Sequence, residues 1–159
     1  MLEDLKQEVY AAHMRLKDEG LVVLTWGNAS AFDPASGLVV IKPSGVDYEM
    51  LKPQDMVVVD LHGNVVEGKL HPSSDTPTHL HFYRFFKGVR GAVHTHSAEA
   101  TAWAQAAREI PCYGTTHADC FHGSVPVTRY LTAEEVESDY EGNTGKVIAE
   151  LFKDKDPLA

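Results

Sequence analysis

"MVVVDLHGNVVEG", Met56 to Gly68, decides what kind of sheet this chain builds. A β-branched run, the short break "HGN" and a second β-branched run read as two strands joined by a tight turn. Strands joined so closely can only be antiparallel neighbours. Upstream, "LVVLTW" (Leu21 to Trp26) and "GLVVIKP" (Gly37 to Pro43) flank the turn-rich "DPASG", and the pattern predicts a second antiparallel pair. Leu2, Leu5, Val9, Ala12 and Leu16 step by three and four, the stripe of an amphipathic helix that ends at Gly20.

Downstream, helices and strands alternate without a strict βαβ rhythm. In "SSDTPTHLHFYRFF" Pro77 suits the first helical position with Thr76 as N-cap, and Leu80, Tyr83 and Phe86 supply a buried stripe. "GAVHTH" reads as a strand, and "SAEATAWAQAA" as a helix capped by Ser97. "TAEE", Thr132 to Glu135, has the capping-box form, and "GKVIAELFK" closes the chain with another helical face. The class is α/β, with a mixed or mainly antiparallel sheet layered by helices.

At 159 residues the chain suits one domain, residues 1–159, and is long enough to bury a core. No internal repeat is present. Its formal charge is −9 and no basic block interrupts the acidic field, which argues against nucleic acid as a partner. A small anionic substrate would need local positive charge from a metal, a lysine or backbone N–H groups. Cys112 and Cys120 show no CxxC spacing, so neither a disulfide framework nor a thiolate zinc site is indicated. The acidic start "MLEDLKQEVY" and the lack of 18 consecutive apolar residues predict no membrane association and a cytoplasmic protein.

The chemistry starts from "VHTH". On a strand, His94 and His96 leave the same face about 6.6 Å apart, close enough for both imidazoles to close on one ion. The similar "HLH" of His79 to His81 falls on a helix, where the two rings diverge. Asp75 sits at a helix start and is the carboxylate best placed to join His94 and His96. Two imidazoles and a carboxylate suit one divalent ion per subunit, zinc first and other divalent ions next. A second donor set gathers at element ends: Asn28 in "TWGNAS", Ser44 and Gly45 in "KPSG", Ser73 and Ser74 in "PSSD". Amide, hydroxyls, a close backbone approach and a helix N-terminus together suit a phosphate, although each piece alone is also ordinary turn chemistry. "GTTHADCFHG", Gly114 to Gly123, collects Thr115, Thr116, His117, Asp119 and His122, with Asp119 either a general acid/base or a turn cap.

"TWGNAS", "IKPSGVDY", "DMVVVDL", "VVEG", "PSSDTPTHL", "VHTHS", "WAQA", "IPCYGTTHADCFHG" and "YEGNTGKVI" resemble, in order and spacing, the L-ribulose-5-phosphate 4-epimerases of the class II aldolase/epimerase superfamily. The match runs from about Met1 to Phe152. It resembles the epimerases more than the fuculose-phosphate aldolases because Asp75 stands where the aldolases carry a catalytic Glu. The resemblance implies a three-layer α/β/α fold around a mainly antiparallel sheet, a C4 homotetramer with sites between subunits, and a place in pentose (arabinose) catabolism. It puts the metal on Asp75, His94 and His96, and the substrate phosphate near Asn28, Ser44, Gly45, Ser73 and Ser74 with Lys42 close by. Asp119 is similar to the family's catalytic acid/base, and Thr115 to a residue offered across the subunit interface. His79, His81, His117 and His122 acquire no metal role and are read as structural.

In the family a third histidine ligand and a tyrosine acting as the opposite acid/base lie beyond the matched region. This sequence stops at Ala159 and "FKDKDPLA" reads as the start of a linker, so the expectation is a member shortened at its C-terminus, with weakened metal binding, low or no turnover and an exposed sheet edge or apolar patch. The expected reaction of the intact architecture is inversion at C4 of L-ribulose 5-phosphate, giving D-xylulose 5-phosphate, by breaking and remaking the C3 to C4 bond. The rival expectations are an aldolase for another sugar phosphate, and a non-catalytic module that binds metal or sugar phosphate.

Overall fold

The computed structural model describes residues 1–153. The reading of the last residues as a linker therefore lies mostly outside the described residues. Five strands form one sheet in the order β4-β3-β2-β1-β5, with β1 Asn28–Asp33, β2 Leu38–Ile41, β3 Val57–Asp60, β4 Val65–Glu67 and β5 Gly91–His94. Every pairing is antiparallel, as the hairpin reading of Met56 to Gly68 requires. The helices are α1 Glu3–Asp18, α2 Thr76–Phe85, α3 Ala98–Gln105, α4 Thr115–Ala118 and α5 Ala133–Leu151. None of them is long and apolar enough to cross a membrane.

The uninterrupted apolar runs of β2 and β3 follow from a sheet covered on both faces. Val40 and Val58 pack with Val9 of α1, Leu51 and Met56 on one side. Val39, Val57 and Val59 pack with Leu80 and Tyr83 of α2 on the other. Alternation across the pleat thus sends neighbouring valines into two separate cores. Each fully buried valine contributes on the order of 1.5–3 kcal/mol relative to an exposed one. Helix α5 lies along α2, where Gly145 leaves no room for a side chain: a Cβ there would meet the His81 Cβ at 2.7 Å and the Thr78 Cα at 3.1 Å. The result is the three-layer α/β/α arrangement expected.

Two local expectations shift. The predicted strand Leu21–Trp26 is a loop, and the first strand begins two residues beyond it, at Asn28. The turn at Asp33 to Gly37 is where the sequence placed it, with the Gly37 N–H on the Asp33 carbonyl at 2.9 Å. From that turn the ladder runs back only as far as β2 can pair, from Asp33 opposite Leu38 to Ser30 opposite Ile41. Leu21 to Trp26 therefore has no partner strand, and Leu24 adopts a left-handed φ of 55° with its side chain 76% exposed. Helix α2 starts one residue early, at Thr76, with Asp75 in the cap position. Asp75 makes no capping bond because its carboxylate is engaged elsewhere.

Candidate functional site

Antiparallel pairing brings the start of β1, the end of β2 and the end of β5 to one end of the sheet, with Asn28 directly opposite His94. The loop before α2 joins them through a bridge between Pro43 and Pro72. The Ser44 N–H donates to the His71 carbonyl and the Ser73 N–H to the Lys42 carbonyl, each at 2.9 Å. A cavity of about 460 Å³ opens at this junction. It is lined by all nine residues that sequence reading placed with metal or phosphate: Asn28, Lys42, Ser44, Gly45, Ser73, Ser74, Asp75, His94 and His96.

Asp75 organises one wall. Its Oδ2 accepts from the Asn28 amide at 2.5 Å and lies 2.6 Å from His94 Nδ1. The Asn28 amide also reaches the Ser73 hydroxyl at 3.3 Å, while its buried Oδ1 has no partner among the described residues. The hydrogen bond with His94, supplemented by Asn28, holds the Asp75 carboxyl below its usual range despite opposing burial. The same bond raises the His94 imidazole. Carboxylate and imidazole therefore stabilise each other's charged forms.

Strand β5 ends at His94, so His96 lies outside the alternation that predicted a shared face. The two rings still stand side by side, with centroids 4.7 Å apart. Among the described residues, no three ligand-type side chains are already gathered about one point. What the residues do fit is a divalent ion on His94 and His96, with Asp75 fixing the His94 ring. A carboxylate on the far nitrogen of an imidazole sets its tautomer and raises its basicity as a ligand. Asp75, expected among the ligands, has its Oδ2 on His94 Nδ1 in this geometry.

The phosphate-type donors lie at the other end of the cavity. Ser44, Gly45 and Ser74 are exposed, and Gly45 has a φ of +68° with open space where a side chain would stand. Lys42 differs from them, being only 2% exposed, with its ammonium turned to backbone carbonyls. Burial lowers its pKa.

The cavity also takes residues that sequence reading did not single out: Thr25, Trp26, Gly27, Pro43 and Tyr140. Gly27, at φ +81°, passes so close to β5 that a Cβ would stand 3.1 Å from the His94 carbonyl oxygen. Tyr140 follows a break in α5 at Asp139, whose φ of −162° and ψ of 80° are non-helical. There the Asp139 carboxylate accepts from the Gly142 N–H at 3.2 Å, a fresh cap inside the helix. An Asp followed by Gly three residues later was the available signal. Behind Asp75, His94 and Tyr140 a second cavity of about 420 Å³ is lined in part by Glu141, whose carboxyl is raised by burial and then by the Asp75 charge.

Thr115 and Asp119 are not brought to the cavity. Both are exposed, Thr115 at the start of α4 and Asp119 at its C-cap. His117 donates to the Gly123 carbonyl at 2.8 Å, a local loop bond. His79 is buried in a chain in which the Ser30 hydroxyl touches both its Nδ1, at 2.7 Å, and the Tyr83 hydroxyl, at 2.6 Å. His81 stacks on Phe85. The "HLH" pair diverges as its helix demands.

Comparison with known proteins bears on the fold and the family. A family described as the class II aldolase and adducin N-terminal domain matches residues 7–159. The structure is similar to an L-fuculose 1-phosphate aldolase at 28% identity, covering 94% of this chain and 85% of that one, with a TM-score of 0.75. It is similar to the L-fuculose-1-phosphate aldolase of Thermus thermophilus at 27% identity, covering 91% and 73%, with a TM-score of 0.70. A sugar-phosphate aldolase from Thermotoga maritima shares the fold at 15% identity, covering 96% and 78%, with a TM-score of 0.70. With a family match over nearly its whole length, this chain belongs to the class II aldolase and adducin N-terminal domain family.

Proposed function

We propose that this chain is a metal-dependent enzyme of sugar-phosphate carbon–carbon bond cleavage, acting as an L-ribulose-5-phosphate 4-epimerase. The sugar phosphate enters the 460 Å³ cavity, with its phosphate toward Ser44, Gly45, Ser73 and Ser74 and its ketone end toward His94 and His96. A divalent ion held by those two imidazoles supplies a Lewis acid for the negative charge that develops on substrate oxygens. Asn28 and Asp75 keep the His94 ring in place for it. The C3 to C4 bond breaks, the electron pair stays on the three-carbon half, and the phosphate donors retain glycolaldehyde phosphate. Rotation of that aldehyde and re-addition to its other face invert C4.

The observation that carries the epimerase over the aldolase is the state of Asp75. An aldolase has to move a proton to or from the nucleophilic carbon, which needs an acid/base group poised near neutral pH. Asp75 is bonded by both His94 and Asn28, so the carboxylate that would have to carry that proton is already engaged. An epimerase re-forms the bond without protonating that carbon and has no such need. Fuculose-phosphate aldolases among the similar structures favour the second reading, cleavage of another sugar phosphate.

Asp119 moves the proton of the C4 hydroxyl, and Thr115 borders it. Both are exposed on the chain that carries them, so a neighbouring copy in a homotetramer supplies them to the cavity. The deciding experiment follows L-ribulose 5-phosphate and L-fuculose 1-phosphate with the zinc-loaded protein by NMR. D-xylulose 5-phosphate without free aldehyde, at low turnover, is the expected product. Free aldehyde from either substrate selects the aldolase, and phosphate-ester binding with no product selects the non-catalytic module.

A further inference from the structure

We propose that Lys42 is a positioning residue, an internal cation that draws the two loops of the phosphate end together and does not itself touch the phosphate. This rests on the reading of that end of the cavity as the phosphate subsite. The Lys42 Nζ donates to the Val46 carbonyl at 2.9 Å and reaches the Thr25 and Pro43 carbonyls at 3.4 Å each. It stands 5.0 Å from the centroid of the Tyr48 ring, which adds a cation–π contact. An ammonium has three N–H groups, and each has a carbonyl to face.

The carbonyls belong to different walls. Thr25 leads into Trp26 and Gly27 on one side, while Pro43 and Val46 bracket Ser44 and Gly45 on the other. Tyr48 repeats the connection, since its hydroxyl donates to the Gly27 carbonyl at 2.9 Å. Lys42 and Tyr48 thus tie the strand-leading loop to the serine-glycine loop, Lys42 from the cavity wall itself. To reach a phosphate, the ammonium would have to abandon those carbonyls, which are buried or half-buried, and leave them without its N–H groups. Surface lysines face no such cost.

The test uses the full chain with Lys42→Met and Lys42→Arg, glycerol phosphate and inorganic phosphate as probes, and hydrogen exchange by mass spectrometry on the ligand-free proteins. The expected result for Lys42→Met is glycerol-phosphate binding weaker by about tenfold or more, together with faster exchange confined to the segments 21–28 and 43–48. Lys42→Arg should recover much of both, because a guanidinium can again donate to several carbonyls. Weaker binding with unchanged exchange in both segments would make Lys42 a direct phosphate contact and overturn the proposal. Exchange that quickens across the whole chain would overturn it too, as a general loss of stability. Should Lys42→Met not fold, Tyr48→Phe keeps the ring and removes only the hydroxyl: faster exchange in 21–28 supports the clamp, and no change there refutes it. If the parent protein binds neither probe, the phosphate reading fails, while the exchange comparison still judges the clamp.

Discussion

Asn28, Ser73, Asp75 and His94 hold one another in place, whereas Thr115 and Asp119 are held by little beyond one helical turn of their own. In the first group side chains from β1, the α2 loop and β5 share hydrogen bonds of 2.5 to 3.3 Å at a sheet end. In the second, the Asp119 N–H returns to the Thr115 carbonyl at 2.7 Å and both side chains face outward. The contrast separates what one chain preorganises from what it can only present. Groups fixed by packing and shared bonds arrive in working geometry, while an exposed Asp acts only when a second surface brings the substrate to it.

The sharpest break of that comparison is removal of an imidazole. Either His94→Ala or His96→Ala should take bound zinc from about one ion per chain to none and reduce turnover to background. Elemental analysis after gel filtration reads the first effect. Retention of zinc by both variants would move the metal away from this end of the sheet.

Asp119→Asn probes the other half. If Asp119 serves a neighbour's cavity, turnover should fall by about 10² to 10⁴-fold while glycerol-phosphate affinity and zinc content stay as they were. Mixing Asp119→Asn with His94→Ala protein adds a check across copies, since a shared site regains part of its activity in mixed oligomers. No recovery, in oligomers shown to have exchanged subunits, would place Asp119 in its own chain's site.

Acid tests how firmly the buried half is fastened. His13 donates from Nδ1 to the Val9 carbonyl at 2.6 Å and accepts the Ala29 N–H on Nε2 at 2.9 Å, so the neutral ring pins α1 to the strand that carries Asn28. Burial pushes its pKa down to about 4. The unfolded imidazole titrates near 6.5, so the unfolded state binds more protons below that value, and stability falls as pH drops from about 6.5 toward 4. The loss from this one ring should be about 2 kcal/mol by pH 5 and about 3 kcal/mol by pH 4. Urea unfolding at pH 7.5 and 5 measures it. His13→Gln should be less stable at pH 7.5 yet show a shallower decline, and an undiminished decline would mean that other groups carry the pH dependence.

The readings that held, and those that shifted, divide by the same physics. Val57 to Val59 and the Thr132 to Glu135 capping box announce themselves, because β-branched apolar runs and caps are local signals. Nine of the cavity's residues were legible, most because hydroxyls, amides and imidazoles at element ends are conspicuous and Lys42 through the family resemblance. The strand that carries Asn28 was not, because "NASAFD" looks polar. Its Ser30 is buried only by virtue of hydrogen bonds shared with His79 and Tyr83, residues 49 and 53 positions away. Propensity instead favoured "LVVLTW", whose backbone is claimed by tertiary bonds from Lys42 to Thr25 and from Tyr48 to Trp26. Tyr140 was hidden for a related reason: the helical pattern runs on through the break, and the only local mark of it is Asp139 with a glycine three residues later.

The smallest effect lies where the two halves of the molecule meet. Gly145→Ala puts a methyl 2.7 Å from the His81 Cβ and 3.1 Å from the Thr78 Cα, atoms that move only if α5 moves away from α2. Overpacking of this kind costs roughly 1–3 kcal/mol, and the gain from replacing a helical glycine returns about 1 kcal/mol of it. The net should be a loss of about 1 kcal/mol, read as a lower thermal midpoint. Thr78 also donates to the Glu141 carbonyl at 2.7 Å, so a displaced α5 carries Tyr140 with it and should loosen phosphate-ester binding slightly. Gly142→Ala is the matched contrast, because its methyl would meet the Asp139 carboxylate, a side chain that can swing aside. That variant releases the internal cap and leaves the α2 contact alone. If Gly145→Ala raised the midpoint instead, the close approach of α2 and α5 would be looser than these distances state, and Tyr140 would owe its place at the cavity to the break at Asp139 alone.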